Sequence, residues 1–333
     1  MIPQYYRFMD SSNWQESLND VITDWATQTP KKIIISPDID GIASACILNS
    51  IYEVEIIGIY TSVHLQMLGS YNRDDARDAL WLDHDISKEG IRCIGQHLVQ
   101  HKASDTLPLR DRRSWNPNVW VGQSWEESFK GSGGRKRDKF PFGTAHFLWD
   151  LNHRNVDLTP SQLTVLAHAD GTWFAADCYR ANAAIWRDLM FSDSKWIDKI
   201  LTYRHQTSAH ETHREFCKDL EKIGYKSQSR SQKAKLLPDE LKCLVGRQSL
   251  TIRLSSDGNK YLDKIRSGIQ LISTLIGSEP LIGTQVGLYI NGNRELIYPN
   301  RIKNFDELMV EEEIFSHAFT DFRSLSYTVG LDI

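Results

Sequence analysis

The sequence predicts an α/β fold in which a parallel sheet carries helices on both faces. Short β-branched or apolar runs recur between segments of helical spacing, at 31–35, 54–60, 79–82 and 92–99. Runs of this length, bounded by polar residues, indicate buried strands. Strands that alternate with helices at this spacing indicate parallel strand–helix–strand units. A chain of 333 residues also has room for a second, smaller α/β domain.

The domain boundaries follow from a change in composition. Residues 227–235 (SQSRSQKAK) are polar and of low complexity, which is typical of a boundary. We predict a main domain at 1–191, a helical linker at 192–235 and a smaller C-terminal α/β domain at 236–333.

The central stretch of the main domain is 31–48 (KKIIISPDIDGIASACIL), which predicts a strand, a turn and a helix. Such a turn lies at the carboxyl end of a strand, where open α/β sheets bind ligands. Asp38 and Asp40 are one residue apart on this turn and could both face one divalent cation, which prefers oxygen ligands. Alternatively, an aspartate here caps the helix that follows.

The other elements of the main domain are placed by the same patterns. An amphipathic helix is predicted at 12–25. The strand at 79–82 runs into Asp83, and the strand at 92–99 is followed by Gln100 and His101. Helices are predicted at 142–151, at 160–169 (which runs into Asp170) and at 175–191.

A Gly/Ser-rich and then basic loop is predicted at 122–139. Its residues Arg135, Lys136 and Arg137 could contact phosphates, or could simply be solvated.

The second half of the chain begins with a long polar helix at 196–225. His210 and His213 on this helix have the spacing of metal ligands, but no third ligand follows nearby, which favours a solvent-facing linker. Beyond it the patterns predict a strand at 249–254, a helix at 257–276, a hairpin of 286–290 with 295–298, a helix at 306–315 and a strand at 325–331.

Bulk composition excludes several classes of protein. The hydrophobic content of 41% and charged content of 25% are those of a soluble globular chain. No apolar run is long enough to cross a membrane, and the five scattered cysteines indicate reduced thiols and a cytoplasmic protein. The net charge of −4 means that any nucleic acid would have to be bound by local basic patches.

Carboxylates recur after the predicted elements of the main domain. Asp38 and Asp40, Asp83 and Asp85, and Asp170 would converge on one edge of the sheet. Carboxylates in one cavity repel each other unless a cation neutralises them. A divalent metal held by carboxylates suits phosphoryl chemistry, because it activates water and holds phosphate oxygens.

These segments resemble the motifs of the DHH phosphoesterases. SPDIDGIASACIL at 36–48 is similar to the family's first motif, of the form HxDxDGxxSA, and WLDHDIS at 81–87 to its second. Gln100-His101, Thr106-Leu107-Pro108 and Asn116-Pro117-Asn118 resemble the DHH motif and the LP and NPN elements of RecJ-type exonucleases. FGTA at 142–145 and AHAD at 167–170 stand where the family has a helix start and its fourth motif. The resemblance covers residues 30–175.

The chain departs from the family at two places. Ser36 stands where the family has a metal-binding histidine, and Val99 and Gln100 replace the first two residues of the DHH motif. His97 and His84 are candidate replacement ligands, or else ordinary structural histidines. In the second half, Ser316-His317-Ala318 is the nearest analogue of the family's glycine-rich GGGH signature.

The resemblance implies roles for particular residues. Asp38, Asp40, Asp83 and Asp170 would hold Mn²⁺ or Mg²⁺. His101, Asp83 and Asp170 would be catalytic, with His101 near the scissile phosphate. Asn116 and the basic loop would contact the substrate.

The predicted function is that of a metal-dependent phosphodiesterase or nuclease. Its substrate would be single-stranded DNA or RNA, or a short oligonucleotide, and family analogy suggests a helicase or ATPase partner. The tryptophans at 115, 120, 125 and 173 could stack on bases or simply pack in the protein. The alternatives are a small phosphoester substrate, or a catalytically degenerate protein with this fold that serves as a scaffold binding a nucleic acid or a partner.

Overall fold

The computed structural model of the chain describes residues 13–102, 104–105, 113–129, 138–227, 236–238, 258–321 and 323–333. Its strands, in chain order, are β1 (Lys31–Ile35), β2 (Val54–Tyr60), β3 (His64–Leu68), β4 (Leu80–Leu82), β5 (Arg92–Ile94), β6 (Tyr225–Ser227), β7 (Leu236–Pro238), β8 (Leu281–Ile282), β9 (Val286–Asn291), β10 (Asn293–Ile297), β11 (Ser316–Asp321) and β12 (Ser324–Val329).

The helices fill most of the intervals between the strands. In chain order they are α1 (Asn13–Ala26), α2 (Ile39–Tyr52), α3 (Arg73–Asp78), α4 (Pro117–Trp120), α5 (Trp125–Phe129), α6 (Thr144–His153), α7 (Pro160–His168), α8 (Thr172–Cys178), α9 (Arg180–Met190), α10 (Ile197–Leu201), α11 (Thr207–Lys222), α12 (Gly258–Ile276) and α13 (Phe305–Glu311). Short 3₁₀ turns lie at Ala169–Gly171, Tyr203–His205 and Pro299–Arg301.

The main sheet is mixed and mostly parallel, with seven strands in the order β5-β4-β1-β2-β3-β9 and β8 beside β2. β1 pairs in parallel with β2 and β4, and β4 pairs in parallel with β5. β3 and β9 are joined to this group by antiparallel pairing. The predicted α/β class is therefore confirmed, and the turns after β1 and β4 lie at the same edge of the sheet.

The isoleucines of β1 explain why this strand is central. Ile33, Ile34 and Ile35 are fully buried, and alternate side chains pack into two different hydrophobic clusters, one on each face of the sheet. The helix α2 that follows is buried over residues 39–48. A helix that is apolar all round must be covered on several sides, and here α6, α7 and α12 pack on it.

A smaller antiparallel sheet has the order β10-β12-β11. Its hydrophobic cluster includes Phe305 and Phe319 from the second half of the chain, but also Leu98, Trp125 and Phe129 from the first half. Part of the segment between β5 and α6 thus contributes to the core of the smaller sheet.

The predicted hairpin in the second half is wrong. β9 pairs with β3 in the main sheet, and β10 pairs with β12 in the smaller one. Five of the described strands were not predicted, namely β3, β6, β7, β8 and β11. The strand predicted at 249–254 lies outside the described residues.

Several predicted elements have different bounds. The strand predicted at 92–99 is limited to Arg92–Ile94. The helix predicted at 175–191 is divided into α8 and α9, and the long helix predicted at 196–225 is divided into α10, a 3₁₀ turn and α11. A Tyr179 cap with φ −125° and ψ 44° separates α8 from α9, which a continuous apolar pattern does not reveal.

Candidate functional site

The turn after β1 holds a network of short hydrogen bonds. The Ser36 hydroxyl lies 2.8 Å from Asp38 Oδ1 and 2.6 Å from Asp83 Oδ2. A hydroxyl has one proton to donate, so it satisfies one of these two carboxyl oxygens at a time. The other contact then joins the Ser36 oxygen to a carboxyl oxygen without the hydroxyl proton between them. It is favourable only when another proton or a cation lies between those two oxygens.

Asp38 caps helix α2. Its Oδ1 accepts a hydrogen bond from the Gly41 N–H at 3.1 Å, and its backbone is extended, as N-cap residues require. The capping interpretation of this aspartate is therefore confirmed. A capping carboxylate still has lone pairs for a further ligand, so its predicted role as a metal ligand remains a prediction.

Asp40 is buried against the start of helix α6. Its two carboxylate oxygens accept the Thr144 N–H at 2.8 Å and the Ala145 N–H at 2.9 Å, and the side chain is 1% exposed. The Thr144 hydroxyl also donates to Asp83 Oδ1 at 3.1 Å. One helix terminus therefore binds carboxylates from the turns after β1 and β4.

Gly143 permits this close approach. A Cβ atom at this position would lie 2.6 Å from the carboxylate oxygens of Asp40, closer than real Cβ atoms come to any neighbour. Because the φ of Gly143 is −87°, the backbone itself accepts other residues, and the requirement for glycine is purely one of space.

Two of the aspartates have an unusual backbone conformation. Asp83 has φ 61° and Asp170 has φ 45°, both in the left-handed region. Aspartate enters this region more readily than most residues, yet such conformations cluster at functional sites. Asp170 lies in the 3₁₀ turn between α7 and α8, and its charge acts directly on Asp40.

The pKa of Asp40 is raised from 3.8 to about 7. Burial is the largest cause, followed by the negative charges of Asp170 and Asp38. Hydrogen bonds with the Ala145 N–H and the Asp83 side chain act in the opposite direction. The structure therefore brings together all four aspartates predicted from the sequence.

The two candidate replacement histidines have different surroundings. His84 is buried beside Tyr60, at 4.9 Å between ring centroids, and burial lowers its pKa to about 4. The His97 ring is partly exposed, and its Nδ1 lies 3.1 Å from Asp85 Oδ2. A carboxylate on one ring nitrogen is the arrangement that orients metal-binding histidines.

Asn116, predicted to contact substrate, is buried in an internal network. Its Nδ2 donates to Asp85 Oδ1 at 2.5 Å and to the His97 carbonyl at 2.8 Å. Its Oδ1 accepts the Asn118 and Val119 N–H groups at the start of α4. These contacts give Asn116 a structural role in holding Asp85.

His101, predicted to be catalytic, is buried in the core of the smaller sheet. Its ring stacks on Trp125 and Phe319, with ring centroids 5.2 and 5.8 Å away. The analogue of the family's GGGH histidine, His317, contacts Ser87 Oγ at 2.6 Å and the Val99 carbonyl at 2.7 Å. Both histidines thus join the two halves of the chain through buried contacts.

The remaining predicted binding residues fall into two groups. Arg135, Lys136 and Arg137 lie outside the described residues. Among the tryptophans proposed for base stacking, Trp115 and Trp125 are each 4% exposed, so they pack in the interior. Trp120 and Trp173 are partly buried.

Sequence patterns missed several residues of the site. Thr144 and Gly143 lie in the helix start noted at 142–145, but the pattern did not indicate that they contact Asp40 and Asp83. A second group was also missed: His168, His213 and Cys217 have their side-chain donor atoms within 4.8 Å of one another.

Comparison with known proteins found no matching family model, no matching curated protein and no matching solved structure. Within the described residues, none of the helices has the length and apolar character needed to cross a membrane.

We expect Asp170→Asn to stabilise the metal-free protein, increasingly so as the pH rises. Below about pH 4, Asp40 is protonated in both the folded and the unfolded chain, so the substitution changes the free energy of unfolding little. Between about 4 and 7 the folded chain binds more protons at Asp40 than the unfolded chain, so this residue lowers stability as the pH rises. Removing the Asp170 charge lowers the folded pKa, and each unit corresponds to about 1.4 kcal/mol at neutral pH.

The measurement is urea unfolding of wild type and variant over this pH range. The result is the difference between their free energies of unfolding, because the buried histidines of both proteins make stability rise with pH and this effect cancels in the difference. Asparagine tolerates the left-handed backbone at this position. Asp157→Asn, at an exposed carboxylate that pairs with Lys199, is the control and should show no such trend. A difference independent of pH would contradict the coupling of Asp170 to Asp40.

We expect Gly143→Ala to destabilise the protein by about 1–3 kcal/mol, because the new methyl group displaces the Asp40 carboxylate from the α6 N–H groups. In an Asp40→Ala background the same change should cost much less, since the clashing atoms are gone. Chemical denaturation of the four proteins in this double-mutant cycle measures the coupling. Equal costs in both backgrounds would exclude it.

Proposed function

We propose that the protein is a divalent-metal-dependent phosphodiesterase that cleaves single-stranded nucleic acid or short oligonucleotides. The observation that carries the proposal is the convergence of Asp38, Asp40, Asp83 and Asp170, with the pKa of Asp40 raised to about 7 by burial and by its neighbours' charges. Keeping four acidic groups together is costly without a counter-charge, and a divalent cation supplies one.

The donor set fits Mn²⁺ or Mg²⁺. These ions take carboxylate oxygens, and all four side chains offer them. A divalent ion in such a site polarises phosphate oxygens and activates water. His97, oriented by Asp85, is the better-placed of the two candidate replacement ligands, because part of its ring is exposed.

The chain's own residues position the site. The N–H groups of Thr144 and Ala145 hold Asp40, and the Thr144 hydroxyl holds Asp83. With its pKa raised to about 7, Asp40 is partly protonated at neutral pH. Cation binding would therefore release a proton to solvent. The preference for single strands rests on the resemblance to RecJ-type exonucleases.

The second candidate function is that of a non-cleaving scaffold that binds a nucleic acid or a partner. Two observations favour it. The Ser36 hydroxyl bridges Asp38 and Asp83 in the place of the family's histidine. The His101 ring packs against both Trp125 and Phe319, which also contact each other, as the side chain of a core residue does.

Cleavage of end-labelled single-stranded DNA and RNA, with Mn²⁺ and with Mg²⁺, tests the proposal. We expect metal-dependent cleavage, reduced by at least roughly 100-fold in Asp38→Asn and in Asp170→Asn, since each removes a charged ligand. Asparagine still caps a helix and tolerates a left-handed backbone, so both variants should fold. Asp157→Asn is the matched control and should keep full activity.

A folded wild type that leaves long and short substrates intact with either metal would favour the scaffold. So would cleavage that survives both substitutions, because that activity would belong to a contaminant. The scaffold itself predicts retention of labelled single strands in a binding assay without any cleaved product.

A further inference from the structure

We propose that His168, His213 and Cys217 form a second metal site, which takes a divalent transition-metal ion of the Zn²⁺ type. This site is distinct from the aspartate cluster in its ligands and in its chemistry. Two imidazoles and one thiolate suit Zn²⁺, whereas carboxylates suit Mn²⁺ and Mg²⁺.

Two helices supply the ligands. His213 and Cys217 are four residues apart on α11, so their side chains lie on the same face of that helix. His168 is the last residue of α7, which packs against α11. His168 is therefore the third ligand. It lies 45 residues before His213 in the chain, so the sequence around His213 did not indicate it.

The distances are close to those of a metal site. His168 Nε2 lies 3.0 Å from His213 Nδ1, and the Cys217 sulfur lies 3.9 Å from His168 Nε2. With one donor atom taken from each of the three residues, all three atoms lie within 4.8 Å of one another. Ligand atoms bound tetrahedrally to Zn²⁺ at about 2.0–2.1 Å for nitrogen and about 2.3 Å for sulfur are about 3.3–3.6 Å apart. Small rotations of these side chains would therefore suffice to bind the ion.

The surroundings favour a bound ion with one open position. His168 is 2% exposed, and the rings of Trp173 and Phe216 pack around it. His213 and Cys217 are only partly buried, which leaves an entry path. Three protein ligands and a water molecule complete a four-coordinate Zn²⁺ site.

Binding would proceed with a defined proton balance. The Cys217 S–H bond breaks, a sulfur–metal bond forms, and the thiol proton passes to solvent; the two imidazoles bind as neutral ligands. No oxidant or reductant is required.

The site would also restrain the aspartate cluster. His168 ends α7, and Asp170 lies two residues later in the 3₁₀ turn that follows this helix. An ion joining α7 to α11 would hold the turn on which Asp170 lies, without contacting it.

The test is titration of the metal-free full-length protein with Co²⁺, which replaces Zn²⁺ and reports its ligands by absorption. We expect a thiolate-to-cobalt charge-transfer band that saturates when one Co²⁺ per chain is bound at this site and that is lost when Zn²⁺ displaces the Co²⁺. Cys217→Ser should abolish the band. His213→Ala should weaken Co²⁺ binding by at least roughly 10–100-fold, because removing a residue that merely hydrogen-bonds to a metal ligand already costs that much affinity. Carboxylate-bound Co²⁺ cannot produce this band.

Cys178→Ser is the matched control, because Cys178 is an exposed free cysteine, and this variant should keep the band. Asp38→Asn should keep it too, which separates this site from the proposed nuclease centre. Absence of the band in folded wild type, or its persistence in Cys217→Ser, would overturn the proposal. Circular dichroism of each variant verifies folding.

Discussion

The site depends on the pair of hydrogen bonds by which the N–H groups of Thr144 and Ala145 hold the Asp40 carboxylate. This contact joins the turn after the central strand to a helix more than a hundred residues later. Gly143 is required because any larger residue would displace the carboxylate. Thr144 then extends the same contact to Asp83, so the ends of two parallel strands are fixed to one helix terminus.

The energetics of the cluster contain two opposing contributions. Backbone N–H groups and the dipole of α6 favour the charged form of Asp40, whereas burial and two neighbouring aspartates favour the neutral form. The second contribution is larger, since the pKa is raised to about 7. Residues that serve stability alone would not be arranged in this way, because the fold gains nothing from their mutual repulsion. This unfavourable arrangement is the reason for proposing that a cation binds here.

Sequence patterns predicted the part of the fold that depends on neighbouring residues. The isoleucine run, the turn at Asp38 and the helix after it are local, and their signals were clear. β9 was assigned to the wrong partner because its pairing with β3 joins residues more than two hundred positions apart, which no pattern encodes. For the same reason the aspartates were recognised but Thr144 was not, and the residues that hold them were found only in the structure. His101 shows a related limit of sequence patterns, because a motif position does not reveal that Phe319 from the distant strand β11 packs on the side chain.

The pairing of β8 with β2 and of β9 with β3 has a consequence for how the chain folds. Strands β2 and β3 are made early in synthesis, but their partners follow more than two hundred residues later. Until then β3 and the start of β2 offer unpaired backbone groups, which are prone to associate with other chains. Contacts over such sequence distances also slow folding. A fragment ending before β8 would carry all four aspartates of the cluster on a sheet in which β2 and β3 lack these partner strands.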